Sequence, residues 1–258
     1  MHRIRLDVMM GLALAALAVA CQDKPAAPAA AKEAAPAKAA ESSTNNEKFH
    51  AHMQEHFVKA DEVQRMVVSG NIEAAKAAAA WIGTHEPPAD LEARYSEHVA
   101  KLQIAARQLA GSNDPISAAE ATARMAAACA GCHAAAGKTL DFGSEPVPEA
   151  GPTLQAHMER HAWGLTRMWD GLVGGEDALW TKGLAAMDDL PELGAKLVAN
   201  PELKTSVEHM SGALKTQLDK AREAKTLEAR GSALAGILAT CGSCHQAVKG
   251  AAAKPAEQ

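Results

Sequence analysis

Between residues 47 and 250 the apolar positions recur at steps of three and four, and clusters of Gly, Pro, Asn and Asp cut the chain into segments. That spacing puts the apolar residues of each segment on one face of an α-helix. In the first half it predicts helices at about 46–68, 71–83, 90–110 and 115–135. Their stripes read Phe49, His56, Ala60, Val63 and Val67 in the first, Leu91, Tyr95, Val99, Leu102 and Ala106 in the third, and Ala118, Ala121 and Met125 in the fourth. Alternating β-branched runs are absent and Ala, Leu, Glu, Lys, Gln and Met dominate, so the expected fold class is all-α. Four amphipathic helices joined by short connections pack most economically as a bundle of antiparallel neighbours.

The whole pattern then repeats. Ala51-His52-Met53-Gln54-Glu55-His56 returns as Ala156-His157-Met158-Glu159-Arg160-His161 at an offset of 105, and the same offset carries Gly70 onto Gly175. Cys129-Ala130-Gly131-Cys132-His133 returns as Cys241-Gly242-Ser243-Cys244-His245 at an offset of 112, which places seven extra residues in the second copy, around Pro191 to Pro201. The expectation is two tandem four-helix bundles, 47–140 and 150–250, each of ordinary domain size, followed by a disordered tail at 251–258.

Composition changes the picture mainly at the N-terminus. Arg3 and Arg5 precede the apolar run Val8 to Ala20, which is too short to span a bilayer and ends in small residues, as a secretion signal does. Residues 1–20 are therefore expected to be removed and the mature chain to work outside the cytoplasm. Leu17-Ala18-Val19-Ala20-Cys21 resembles a bacterial lipobox, in which the cysteine is lipidated; simple cleavage after Ala20 is the alternative. Residues 22–46 are Ala, Pro, Lys and Ser with almost no large apolar side chain, so 21–46 reads as a lipidated N-terminus with a flexible tether. Cys21 is also the one of five cysteines that stands outside a pair. Gln22 follows it in place of the Asp that commonly retains such lipoproteins at the inner membrane. The resemblance thus implies an anchor in the outer membrane facing the periplasm, with a soluble periplasmic protein as the alternative. A net charge of −5 supplies no basic face for phosphates, which sets nucleic acid aside as a partner. The mild acidity, shared by both halves, suits a partner with a basic docking patch.

The chemistry lies in the repeated Cys-x-x-Cys-His. On a helix the second cysteine lies three residues on and the histidine four, so all three side chains project from one face. Such a face can attach haem through two thioethers and ligate its iron through the histidine. A zinc site from Cys129, Cys132, Cys241 and Cys244 would have to close across more than a hundred residues of sequence, unlike compact zinc modules. Two disulfides would suit an oxidising compartment but leave His133 and His245 unexplained.

A bundle with Cys-x-x-Cys-His near the end of its last helix resembles the class II c-type cytochromes, the cytochrome c-prime family, and this chain resembles two such units in tandem over about 200 of its 258 residues. The resemblance implies two covalently bound haem c groups, attached at Cys129, Cys132, Cys241 and Cys244, with His133 and His245 as proximal iron ligands and with homodimers among the expected partners. Residues 246–258 contain neither His nor Met, so a sixth ligand for the second iron must lie upstream. On the helical wheel His56 and His161 sit nearest the centre of the apolar face of the first helix of each copy, with His52 and Met53 on either shoulder. A buried imidazole without a partner costs about 1–3 kcal/mol, whereas a buried methionine packs without penalty; this ranks His56 and His161 first. The resemblance points instead to Met53 and Met158, since low-spin members carry a methionine about sixteen residues before the glycine that opens helix two, and Met158 lies sixteen before Gly174. High-spin members leave the sixth position open, so these alternatives stand together. The 112 offset aligns His98 with Met210, leaving His98 in the core and His209 at the surface. The expected function is single-electron transfer between periplasmic redox partners, not catalysis. The alternatives are gas binding at an open iron, a peroxidase-like activity for which no separate catalytic constellation is visible, and a redox-active thiol protein.

Overall fold

The computed structural model describes residues 37–89, 91–188, 198 and 201–252. The chain divides between Ser43 and Thr44; of the first unit only the opening of one helix is described, and the second, Thr44–Gln258, holds both repeats. Among the described residues there are eight α-helices: α1 (Ala37–Val68), α2 (Ile72–Thr84), α3 (Ser96–Ala110), α4 (Pro115–Ala135), α5 (Leu154–Gly174), α6 (Asp177–Ala186), α7 (Pro201–Glu223) and α8 (Leu227–Ala252). The fold class is all-α, as expected. None of the described helices is long and apolar enough to cross a membrane.

Three boundaries differ from the sequence expectation. Helix α1 begins at Ala37 instead of 46, taking in the last ten residues of the expected tether, where Ala, Lys and Glu are good helix formers. The third helix begins later than 90: Pro87 and Pro88 hold the preceding chain extended, and a 3-10 turn at Ala93–Tyr95 leads into α3 at Ser96. Helix α8 runs on to Ala252, two residues into the expected tail. The signal at 1–20, Cys21, the insertion near Pro191 to Pro201 except for Val198 and Pro201, and residues 253–258 lie outside the described residues.

The helix ends follow from local chemistry. Asn71 caps α2 by accepting from the Ala74 N–H, Asp114 caps α4 at Ile116 and Ser117 with Pro115 at the first helical position, and Thr153 caps α5 at Ala156. The first helix of each repeat ends the same way. Gly70, at φ 71°, and Gly175, at φ 69°, adopt the left-handed conformation that glycine takes without a Cβ clash. The N–H of Asn71 reaches back to Met66 O and that of Glu176 to Gly171 O, closing a Schellman-type turn in both repeats.

Within each repeat the helices meet in sequence, α2 on α3 on α4, and α5 on α6 with α7 on α8, while α4 and α8 pack on one another across the molecule. Pro115, at the start of α4, lies against Gly242 near the end of α8, whereas Ala123 and Ala127 lie against Gly231 near its start. The two motif-bearing helices therefore run antiparallel. Both repeats lie within one compact unit, and among the described residues an apolar core runs from Val63, Val67 and Ala106 to Trp169, Leu218 and Ile237. Alanines at 75, 79, 106, 118, 119 and 121, all fully buried, fill much of the first half of that core, where small side chains let helices approach closely.

Candidate functional site

Helices α4 and α8 each carry their Cys-x-x-Cys-His set on the final turns. Cys129 and Cys132 open on one cavity, Cys241 and Cys244 on another, so the four sulfurs do not converge on a single ion as zinc would require. All four are free thiols. Burial, and then the neighbouring thiol, pushes Cys129 and Cys241 up to about 12, and burial also raises Cys132 and Cys244. Thiol–disulfide catalysts need the opposite shift, toward thiolate.

The two cavities are built from matching positions. In the first, Phe49, His52, Met53 and His56 of α1 face Leu91, His98 and Leu102, with Cys129, Cys132 and His133 beyond. In the second, Leu154, His157, Met158 and His161 of α5 face Leu203, Met210 and Leu214, with Cys241, Cys244 and His245. Every candidate in the described residues is thus brought to its own repeat's motif: Met53 and His56 to the first, Met158 and His161 to the second. His98 and Met210 occupy equivalent places, as the offset of 112 requires, and His209 is exposed. The cavities differ in size, about 90 Å³ against about 340 Å³.

The first cavity also holds a third close imidazole on the α1 side. His52 and His56 lie with ring centroids 4.4 Å apart, and His85 joins them, stacked on Trp81 at 4.0 Å. One ligand nitrogen from each of the three lies within 4.8 Å of the others. Neither ring nitrogen of His56 has a hydrogen-bond partner among the described residues, and the same holds for Nε2 of His161. Burial, aided by His52 and His85, lowers His56 to about 4; burial, aided by His157 and His245, lowers His161 to about 3. Both are neutral at pH 7, and the neutral imidazole is the state a metal ligand needs. The helical wheel centred His161, yet His157 is the more deeply buried of that pair, at 3% exposure.

The motif histidines are oriented by backbone. Nδ1 of His133 lies 3.0 Å from Val173 O, and Nδ1 of His245 lies 2.6 Å from Val68 O. A carbonyl can only accept, so Nδ1 carries the proton in each, and in the neutral imidazole this leaves the lone pair on Nε2. Metal-bound histidines are held in this way as a rule. The residues present fit a covalently attached haem: two free thiols and a tautomer-fixed imidazole on one wall, an apolar lining, and a buried imidazole without a partner on α1 or α5. In the first repeat the three imidazoles would have to separate to admit it.

Sequence reasoning missed His85, which follows α2 and whose equivalent under the 105 offset is Leu190. Only its spacing of four from Trp81, one helical turn, could have drawn it toward the same face. It also missed Val68 and Val173, whose carbonyls leave no mark in a sequence. Compared with family models, curated proteins and solved structures, the chain finds no match.

Proposed function

We propose that this protein is a dihaem c-type cytochrome that passes single electrons between periplasmic redox partners, built as two four-helix bundles that each attach one haem. The observation that carries this reading is the duplication of a complete site. Each Cys-x-x-Cys-His set lines an apolar cavity whose opposite wall carries a histidine and a methionine at matching positions of α1 and α5. Haem, once attached, supplies a reversible one-electron couple. The chain supplies the rest. Cys129 with Cys132, and Cys241 with Cys244, hold the group; His133 and His245 present Nε2; His56 and His161, or Met53 and Met158, face them; Leu102, Leu214 and their neighbours exclude water. An N-terminal lipid at Cys21 would tether the protein to the outer membrane, and the mildly acidic surface suits a basic redox partner.

The absorption spectrum of protein matured in a haem-attaching periplasm, reduced, with and without carbon monoxide, tests the reading. Sharp low-spin bands unmoved by the gas support electron transfer at two six-coordinate irons. A broad spectrum that shifts with carbon monoxide moves gas binding to the front. Absence of covalent haem overturns the proposal.

A second reading rests on His52, His56 and His85 alone. Three imidazoles this close suit a borderline divalent ion such as zinc or copper. Zinc titration of the purified chain decides: stoichiometric binding lost in His85→Ala, in protein lacking haem at the first site, favours a metal centre there.

A further inference from the structure

The two hydrogen bonds that orient the motif histidines both cross from one repeat to the other. His133 belongs to the first repeat and donates to Val173, at the end of the first helix of the second; His245 belongs to the second and donates to Val68, at the end of the first helix of the first. The end of a helix leaves its last carbonyls without intrahelical partners. The Schellman-type turn of α1 satisfies Met66 O and Val67 O through Asn71 and Gly70. The next carbonyl along is Val68 O, and it goes to His245. Its successors are taken by the same turn of α8: Lys249 donates to Ser69 O at 2.8 Å and Gln246 to Gly70 O at 3.1 Å. In the second repeat Gly175 and Glu176 take Leu172 O and Gly171 O, and Val173 O goes to His133.

We propose that each repeat tunes the iron ligand of the other, the α1 terminus acting on His245 and the α5 terminus on His133. This rests on the haem reading above. A helix C-terminus carries about half a negative charge, and a carbonyl that accepts from Nδ1–H makes Nε2 a stronger donor to iron. Stronger donation favours the oxidised metal. Each haem therefore has its reduction potential lowered by a group outside its own bundle, and the seam between repeats is part of both sites.

Gly70 gives access to one of the two contacts. A Cβ there would lie 2.7 Å from Gln246 Cγ and 2.8 Å from Gly242 O, and its φ of 71° disfavours any L side chain. Gly70→Ala thus pushes the α1 terminus off α8 while leaving every haem-attaching residue in place. The test uses full-length matured protein, and haem is counted first. In the wild type, a redox titration should resolve two couples. Gly70→Ala should move one of them upward and leave the other in place. A Cys129→Ser/Cys132→Ser chain, which attaches only the second haem, should show the same upward shift when Gly70→Ala is added. A Cys241→Ser/Cys244→Ser chain, which attaches only the first, should show none.

Hydrogen exchange at the histidine Nδ1–H groups, read by NMR on ¹⁵N-histidine protein, provides a measurement that does not depend on potential. Both protons should be protected in the wild type, and His245 alone should lose protection in Gly70→Ala. Should that variant not fold, Gln246→Ala/Lys249→Ala loosens the same terminus from exposed positions and should shift the same couple. Two haems with unchanged potential and exchange in these variants would overturn the cross-tuning and leave the cytochrome reading standing. A shift confined to the first haem would also overturn it. Wild type with no covalent haem overturns both.

Discussion

His56 and Met53 both line the first cavity, but they make different demands. Both ring nitrogens of His56 are buried without a partner among the described residues, a deficit of about 1–3 kcal/mol, whereas the Met53 thioether asks for nothing. In matured protein, His56→Ala is expected to open one iron to carbon monoxide and Met53→Ala to leave the reduced spectrum unchanged; the reverse result assigns the methionine. A second buried group makes a stability prediction. Asp170 is raised from an ordinary 3.8 to about 6, mainly by burial, against the opposing Arg167 cation, with Asp61, Glu145 and Glu176 adding to the rise. The folded protein therefore holds a proton that the unfolded chain releases at lower pH. Its contribution to stability is fully present below about pH 4 and is lost as pH rises through about 6. Urea unfolding across that window should show the decline in wild type and a flatter profile in Asp170→Asn. Arg167 pairs with Asp170 at 3.1 Å and also donates to Phe142 O in the connection between repeats. Arg167→Ala should cost about 3 kcal/mol or more at neutral pH by leaving a buried carboxylate unpaired, and less at pH 5, where Asp170 can protonate.

At the scale of elements, the positions of α2 and α4 follow from capping chemistry that lies within a few residues of sequence. Asn71 before Ile72 and Asp114 before Pro115 state where those helices begin, and the expected and observed bounds agree within one residue at each end. Asn71→Ala removes the side-chain acceptor for Ala74 N–H and is expected to lower stability by about 1 kcal/mol, measured by thermal or urea unfolding. Where local signals conflict, the expected bounds fail. Leu91 and Tyr95 continue the apolar stripe of the third helix expected from the sequence, which draws its start back to 90, but Pro87 and Pro88 shape the backbone there and α3 begins only at Ser96. The start of α1 shows the opposite conflict: residues 37–46 lack the apolar face that marks a packed helix, yet Ala37 to Glu41 are strong helix formers and the helix begins there.

At the largest scale, the two repeats share one unit, Thr44–Gln258, in which α4 and α8 cross antiparallel and an apolar cluster passes through both repeats. Neither repeat can lose its packing without exposing the other's. Denaturant unfolding of the holoprotein should accordingly give one transition, with the same midpoint by circular dichroism and by tryptophan fluorescence. Trp81 reports on the first repeat and Trp163, Trp169 and Trp180 on the second, so two separated transitions would contradict the single core. The crossed bonds from His133 and His245 belong to this scale as well, since each needs the other repeat docked.

Helical class, the repeat and the two Cys-x-x-Cys-His sets were legible in the sequence because periodicity, propensity and motif spacing all act over a few neighbouring residues. His56 and His133 line one cavity and His161 and His245 the other, an arrangement that follows once equivalent helices of the two repeats are packed in equivalent places. Three features needed the tertiary structure: His85 beside His52 and His56, the antiparallel seam between α4 and α8, and the Val68 and Val173 carbonyls at Nδ1 of the motif histidines. The reason is physical. A backbone carbonyl is the same group at every residue, and whether it is spent inside a helix or left for a side chain 177 positions away, as between Val68 and His245, is decided by where the helix stops and what packs against its end.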